Sequence, residues 1–128
     1  LLATGTVSIT VLAVNHAPVA SNQVVMILQD TVTNLVLTGS DVDNNALAFA
    51  ILTGPTNGTL GVLNPNTGAE SYTPHAGYTG PDQFGFTVSD GSLLATGTVL
   101  KFPMLSTSMP STTAILVACT IRLMSAEL

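Results

Sequence analysis

Charge is what this chain of 128 residues has least of: 7% of it is Asp, Glu, Lys or Arg, only two residues are basic, and the net charge is −5. Lys101 and Arg122 cannot neutralise a run of phosphates, so nucleic acid is excluded as a partner, as is a polybasic hold on a membrane surface. Tryptophan is absent and cysteine occurs once, at Cys119, which rules out an internal disulfide and any Cys/His zinc spacing. Long apolar runs are missing as well. Mean hydropathy is +0.54, yet no apolar stretch approaches the roughly 20 residues that a helical span requires, so no membrane insertion by this segment is expected. No basic segment leads into an apolar one as in a secretory signal, and the first residue is Leu, so the sequence reads as a piece of something longer.

What is present is a repeat. Residues 1–7 read LLATGTV and residues 93–99 read LLATGTV again. Identity over a whole strand length, at a spacing of about one small β domain, points to tandem modules. Residues 1–14 are then the closing strand of an upstream copy plus linker, and residues 15–101 one complete copy.

Within that copy the period is two. Leu47, Phe49 and Ile51 alternate with alanines, Phe84, Phe86 and Val88 alternate with Gln83, Gly85 and Thr87, and Leu35/Leu37 and Leu60/Val62 repeat the pattern, so each segment has one apolar face. Turn residues separate them: Asn57-Gly58 and Asn66-Thr67-Gly68 for positive φ, Gly80-Pro81-Asp82 for a bend, Asp90-Gly91 for a tight hairpin. Strands are predicted near residues 18–28, 31–38, 46–52, 59–63, 69–73, 83–89 and 94–100, which together make an all-β, seven-stranded Greek-key sandwich. Residues 102–128 differ. The repeat offset places Lys101 and Pro103 where Ile9 and Val11 stand in the first copy, a charge and a ring without N–H in place of inward aliphatics. The strand register is expected to fail there, leaving a poorly ordered tail from a truncated, recombined or frame-shifted end, with 114–124 as a short strand or helix.

Six blocks, in order, carry a family likeness: Asn15-His16-Ala17-Pro18-Val19-Ala20, Leu37-Thr38-Gly39-Ser40-Asp41-Val42-Asp43, Gly58-Thr59-Leu60, Tyr72-Thr73-Pro74, Gly77-Tyr78-Thr79-Gly80-Pro81-Asp82-Gln83-Phe84 and Val88-Ser89-Asp90-Gly91. Over residues 15–99 the chain resembles the bacterial cadherin-like, immunoglobulin-like tandem repeats. The resemblance implies a spacer or adhesive array in a large secreted or surface-anchored bacterial protein, stiffened by Ca²⁺ and not enzymatic, whose partners are the neighbouring repeats and other cell-surface proteins or glycans. Two positions depart from the family. Its linker commonly reads Asn-Asp-Ala-Pro, whereas here His16 replaces the acid, and an imidazole is no hard oxygen ligand. Its first hairpin commonly carries Glu-Asp, and here Gln29-Asp30 keeps one charge.

Topology places the acids independently of family. Strands that reverse direction send successive loops to alternate poles. Asn15, Asp41, Asp43, Asn64, Asn66 and Asp90 then share an upper pole, while Asp30, residues 53–57 and Asp82 share a lower one; Glu70 sits beside the fourth loop. Calcium takes six to eight oxygens, so Asp41, Asp43, Asp90 and Asn15 are the predicted upper ligands, with Asp30 and Asp82 a weaker lower set. Without a counter-ion, carboxylates so crowded should raise one another's pKa. Asp-x-Asp-Asn loops are also ordinary turn formers that bind nothing.

Other side chains offer less. His16 and His75 are read as surface histidines, and no nucleophile, base and orienting group can be assembled. Tyr72 and Tyr78 are expected to form a corner hydrogen bond or a core rim. Two alternatives to the spacer stay open: a glycan- or protein-binding module reading through Tyr72, Tyr78 and Asn66, and an accessory domain of a secreted hydrolase. Residues 1–14 are also expected to add to a sheet edge or replace the native closing strand.

Overall fold

Alternating apolar rows build nine strands within residues 1–104, the part of the chain that the computed structural model describes. They are β1 (Val19–Ala20), β2 (Gln23–Ile27), β3 (Thr33–Val36), β4 (Gly39–Ser40), β5 (Ala48–Thr53), β6 (Gly58–Leu60), β7 (Ala69–Pro74), β8 (Asp82–Ser89) and β9 (Leu94–Pro103). One layer has the order β2-β9-β8-β5, the other β3-β7-β6, and β1 pairs with β4 as a short ribbon. This is the expected all-β Greek-key sandwich, with the first expected strand divided into β1 and β2 and the short β4 added just past the end of the second.

The division has a clear cause. At Ser21 and Asn22 the chain leaves β4, to which β1 is antiparallel, and joins β9, to which β2 is parallel. The backbone groups freed by this switch are satisfied: Ser21 N–H donates to the Thr38 carbonyl at 2.9 Å, and the Asn22 side chain accepts from Thr98 N–H at 2.9 Å.

The core is the meeting of the predicted rows. Phe86, Val88 and Val99 are fully buried, with Phe84, Ile27, Leu37 and Tyr72 at 1–2% exposure. Two predicted turn glycines do adopt positive φ, Gly68 at 73° and Gly91 at 98°. Gly58 does not. It belongs to β6, and glycine is needed there because a Cβ would lie 2.5 Å from the Tyr72 hydroxyl.

Three further expectations are corrected. The strand register does not fail at Lys101: β9 runs on to Pro103, paired with Ile27. Lys101 does face inward, at 3% exposure, but its ammonium donates to the Gly80 carbonyl at 2.8 Å and lies 5.2 Å from the Tyr78 ring centroid. The missing N–H of Pro103 is not needed either, because Met104 N–H closes the ladder onto the Ile27 carbonyl at 3.0 Å. Second, β6 stops at Leu60, and Val62 and Leu63 bow away from β7 rather than continuing it. Third, residues 1–14 neither add to an edge nor displace a strand; Val7 is 86% and Ile9 81% exposed. The place their pattern fits is filled by Leu94–Pro103, hydrogen-bonded on both sides. Nor can the tether reach: strand β9 spans roughly 30 Å from pole to pole at ~3.3 Å per residue, whereas the residues from Leu12 to Val19 stretch to about 24 Å at most. Cys119 and the expected element at 114–124 lie outside the described residues.

Because the core rests on the β8 row, Phe86→Ala should cost about 3–5 kcal/mol of unfolding free energy, whereas Val7→Ala should stay within about 0.5 kcal/mol. Urea unfolding of the two variants measures both.

Candidate functional site

The upper pole is assembled as topology requires. Loop β4–β5 brings up Asp41 and Asp43, hairpin β8–β9 brings Asp90, and the incoming chain lays Asn15 and His16 across them. The Asn15 side-chain N–H donates to Asp90 Oδ2 at 2.8 Å, and its Oδ1 accepts from Asn45 at 2.7 Å. His16 N–H donates to Asp43 Oδ2 at 2.7 Å, and the ring Nδ1 stands 3.2 Å from both carboxylate oxygens. Asp41 Oδ1 accepts from Asp43 N–H at 2.7 Å, and Asp90 Oδ1 from Ser92 and Leu93 N–H, each at 2.7 Å. Asn44, at φ 60°, makes the turn that aims Asp43 back at the linker.

These donors reverse the expected titration. Asp43 is held below the ordinary carboxylate range, first by the His16 backbone N–H and then by the His16 ring; repulsion from Asp90 is a smaller, opposing effect. The Leu93 and Ser92 N–H groups, followed by the Asn15 amide, lower Asp90 likewise. Direct hydrogen bonds to the charged form outweigh the mutual repulsion of the acids. Sequence reasoning passed over two members of this network, His16 as a clasp and Asn45 as the brace of Asn15. The available signal was their position, one beside the acidic loop in space and the other within it.

A metal ion fits this pole only in part. Asp41 Oδ2 is buried without a hydrogen-bond partner, an oxygen a cation would satisfy. The oxygens of Asp43 and Asp90 are already engaged by protein donors, and among the described residues no three His, Cys, Asp or Glu side chains cluster closely enough to hold a metal.

The lower pole keeps its acids apart. Asp30, at φ 55°, accepts from Gly77 N–H at 2.7 Å. Asp82 is an internal fastener: Oδ1 accepts from Thr56 and Gln83 N–H at 3.1 and 2.9 Å, Oδ2 from Asn57 N–H and the Tyr72 hydroxyl at 2.9 and 2.8 Å. Burial, and then the bond to Asp82, push the Tyr72 hydroxyl above its ordinary pKa of 10.0. Tyr78 donates to the Pro81 carbonyl at 2.6 Å, so both tyrosines take the packed corner roles expected of them.

A family model described as bacterial Ig domain matches residues 15–100. No curated protein sequence matches the chain. Among solved structures, human protocadherin-24 EC1-2 is similar at a TM-score of 0.56 and 20% identity, covering 70% of this chain and 45% of that one. An endo-fucoidan hydrolase of glycoside hydrolase family 107 matches at 0.53 and 24%, covering 70% of this chain and 14% of the hydrolase. A second hydrolase of that family gives 0.51 and 24%, over 67% and 15%. The chain thus spans less than half the length of each structure. These likenesses are likenesses of fold. No helix among the described residues is long and apolar enough to cross a membrane.

The Tyr72–Asp82 bond yields a pH signature. The folded state retains the Tyr72 proton above pH 10, where the unfolded chain gives it up, so stability should fall as pH rises beyond that point. Lys101, lowered by burial from its ordinary 10.5, acts in the opposite sense below that value. Tyr72→Phe should remove the alkaline decline and lower stability at pH 7 by about 1–2 kcal/mol, as followed by denaturant unfolding between pH 7 and 11.

Proposed function

The chain belongs to the bacterial Ig domain family, and on that footing we propose that it is a non-enzymatic spacer and adhesion module in an extracellular tandem array, stiffened at its N-terminal joint. The observation that carries this reading is the seating of the linker, whose Asn15 and His16 are tied to loops 75 and 27 residues away in sequence. A hinge so tied transmits orientation from one module to the next. Pro18, buried, with its φ fixed by the ring, adds to the restraint.

Calcium belongs to this proposal as a second fastener. Asp41 and Asp43, with Asn15 and Asp90, are the residues that would hold it, and the ion would supply positive charge where the module has only carboxylates. Its entry requires the His16 ring, which is 60% exposed, to swing off Asp43. Affinity should accordingly be weak, in the millimolar range of extracellular modules. On the lower pole Asp82 is fully engaged within its own module, which leaves Asp30 as the acid to offer a neighbour.

A second reading, an accessory domain of a secreted hydrolase, draws support from the fold shared with the two fucoidan hydrolases. Loop-based glycan binding is disfavoured by the packing of Tyr72 at 1% exposure.

The test joins this module to a full upstream copy and titrates calcium while following thermal midpoint and hydrodynamic length. Both should rise at millimolar calcium, the response should vanish in Asp41→Ala/Asp43→Ala, and His16→Asp should bind about tenfold tighter or better by restoring an oxygen ligand. If neither quantity moves and His16→Asp is equally silent, calcium has no part in the joint.

A further inference from the structure

Residues 1–14 carry an apolar row without a strand partner: Val7, Ile9 and Val11 all lie exposed. Their sequence matches one particular place in the fold. With Leu1 set on Leu93, residues 1–7 repeat residues 93–99 letter for letter. In β9 the row Ala95, Gly97, Val99 and Lys101 turns inward, and the last three are buried. The same register gives residues 1–14 the row Ala3, Gly5, Val7 and Ile9, and the residues between, Thr4, Thr6, Ser8 and Thr10, are all polar. One apolar and one polar face at period two is the pattern of a closing strand with a core on one side and water on the other.

The glycine fixes the register. A Cβ at Gly97 would lie 2.5 Å from the ring of Phe86, the fully buried residue opposite it in β8, and 3.1 Å from the Ala20 side chain. A glycine inside a strand weakens it unless another group must come close. The exposed segment has its glycine at the matching place, Gly5, where an added Cβ would meet nothing within 4 Å in its own module. A slip of one residue would put Thr4 or Thr6 beneath the ring and turn Val7 and Ile9 to water. Its own module cannot accept the segment, because the tether is too short and Leu94–Pro103 already fills the slot. The acceptor is therefore another module of this kind.

We propose that residues 2–11 close the sandwich of the module ahead of this one, antiparallel to its counterpart of β8 and parallel to its counterpart of β2, with Gly5 beneath the counterpart of Phe86. This rests on the tandem reading and adds to it a register and a joint. Strand β9 runs from the Asp90 hairpin at the upper pole down to the lower pole, so Val11, in the place of Pro103, ends at the lower pole of the module ahead. From Val11 to Asn15, which is held on Asp90, the chain spans about 14 Å at most. The partner of the Asp41, Asp43 and Asp90 pole is accordingly the lower pole of the module ahead, set close against it. Ile9 takes the place where Lys101 here donates to Gly80, so the module ahead closes that corner with an aliphatic side chain.

A tandem of residues 15–92 followed directly by the full chain tests this, because joining Ser92 to Leu1 reproduces the Ser92-Leu93 sequence and offers residues 1–11 as the leading module's closing strand. Both modules should fold, and amide exchange across residues 3–10 should slow about a hundredfold or more relative to the full chain alone. Gly5→Val should unfold the leading module and spare the second, Gly97→Val should do the reverse, and Thr4→Val, on the outward face, should leave both folded. A leading module that stays unfolded overturns the proposal, as do equal effects of Gly5→Val and Thr4→Val. A leading module that folds while residues 3–10 exchange freely overturns it too, and leaves the array reading standing.

Discussion

The seating of Asn15 and His16 on two carboxylates is the interaction on which the proposed spacer role of this domain depends. Asp43 receives His16 and Asp90 receives Asn15, from loops 27 and 75 residues further along the sequence. Ordering a linker residue costs about 1–2 kcal/mol of backbone entropy, and one exposed contact offsets little of that. The chain answers with several contacts at once, from backbone N–H, amide and ring, and with a buried proline directly after them. The lowered pKa of Asp43 records the same fact, since its best donors are the His16 backbone and ring, whereas Asp90 is lowered first by the Leu93 and Ser92 N–H groups of its own hairpin and then by Asn15.

His16 gives this pole its particular character. Where the resemblance leads one to expect an acid, this chain places His16, whose backbone N–H and ring both engage Asp43. The linker is consequently held by the protein's own hydrogen bonds, and the calcium proposed above would have to compete with His16 for Asp43. The lower pole is built on the other principle. Asp82 faces inward to its own module, gathering the 53–57 loop and Tyr72, so the two poles pair an outward-looking surface with a self-contained one.

Much of this was legible in the sequence because period-two alternation and turn chemistry are local signals. The Phe84–Phe86–Val88 row, the hairpin at Asp90-Gly91 and the gathering of Asn15, Asp41, Asp43 and Asp90 at one pole all follow from them. What the sequence hid was the answer of distant residues to local irregularities. Lys101 and Pro103 break the pattern of a closing strand, yet a carbonyl at Gly80, a ring at Tyr78 and the N–H of Met104 accommodate them. Gly58 looks like a turn residue until Tyr72 is packed over it. Glu70 looks like a surface acid until Val62 and Leu63 bow away and leave Ser71 N–H to be satisfied. The fate of residues 1–14 turned on tether length and on an occupied ladder, neither of which hydrophobic pattern reports.

Backbone ¹⁵N relaxation of Asn15, His16 and Ala17 tests the central claim most directly. A seated linker should show order parameters near those of the strands, about 0.85, without added calcium, falling toward about 0.6 in Asp43→Asn/Asp90→Asn while the strands keep theirs. Values already near 0.6 in the unaltered chain, or unchanged by the double substitution, would contradict it.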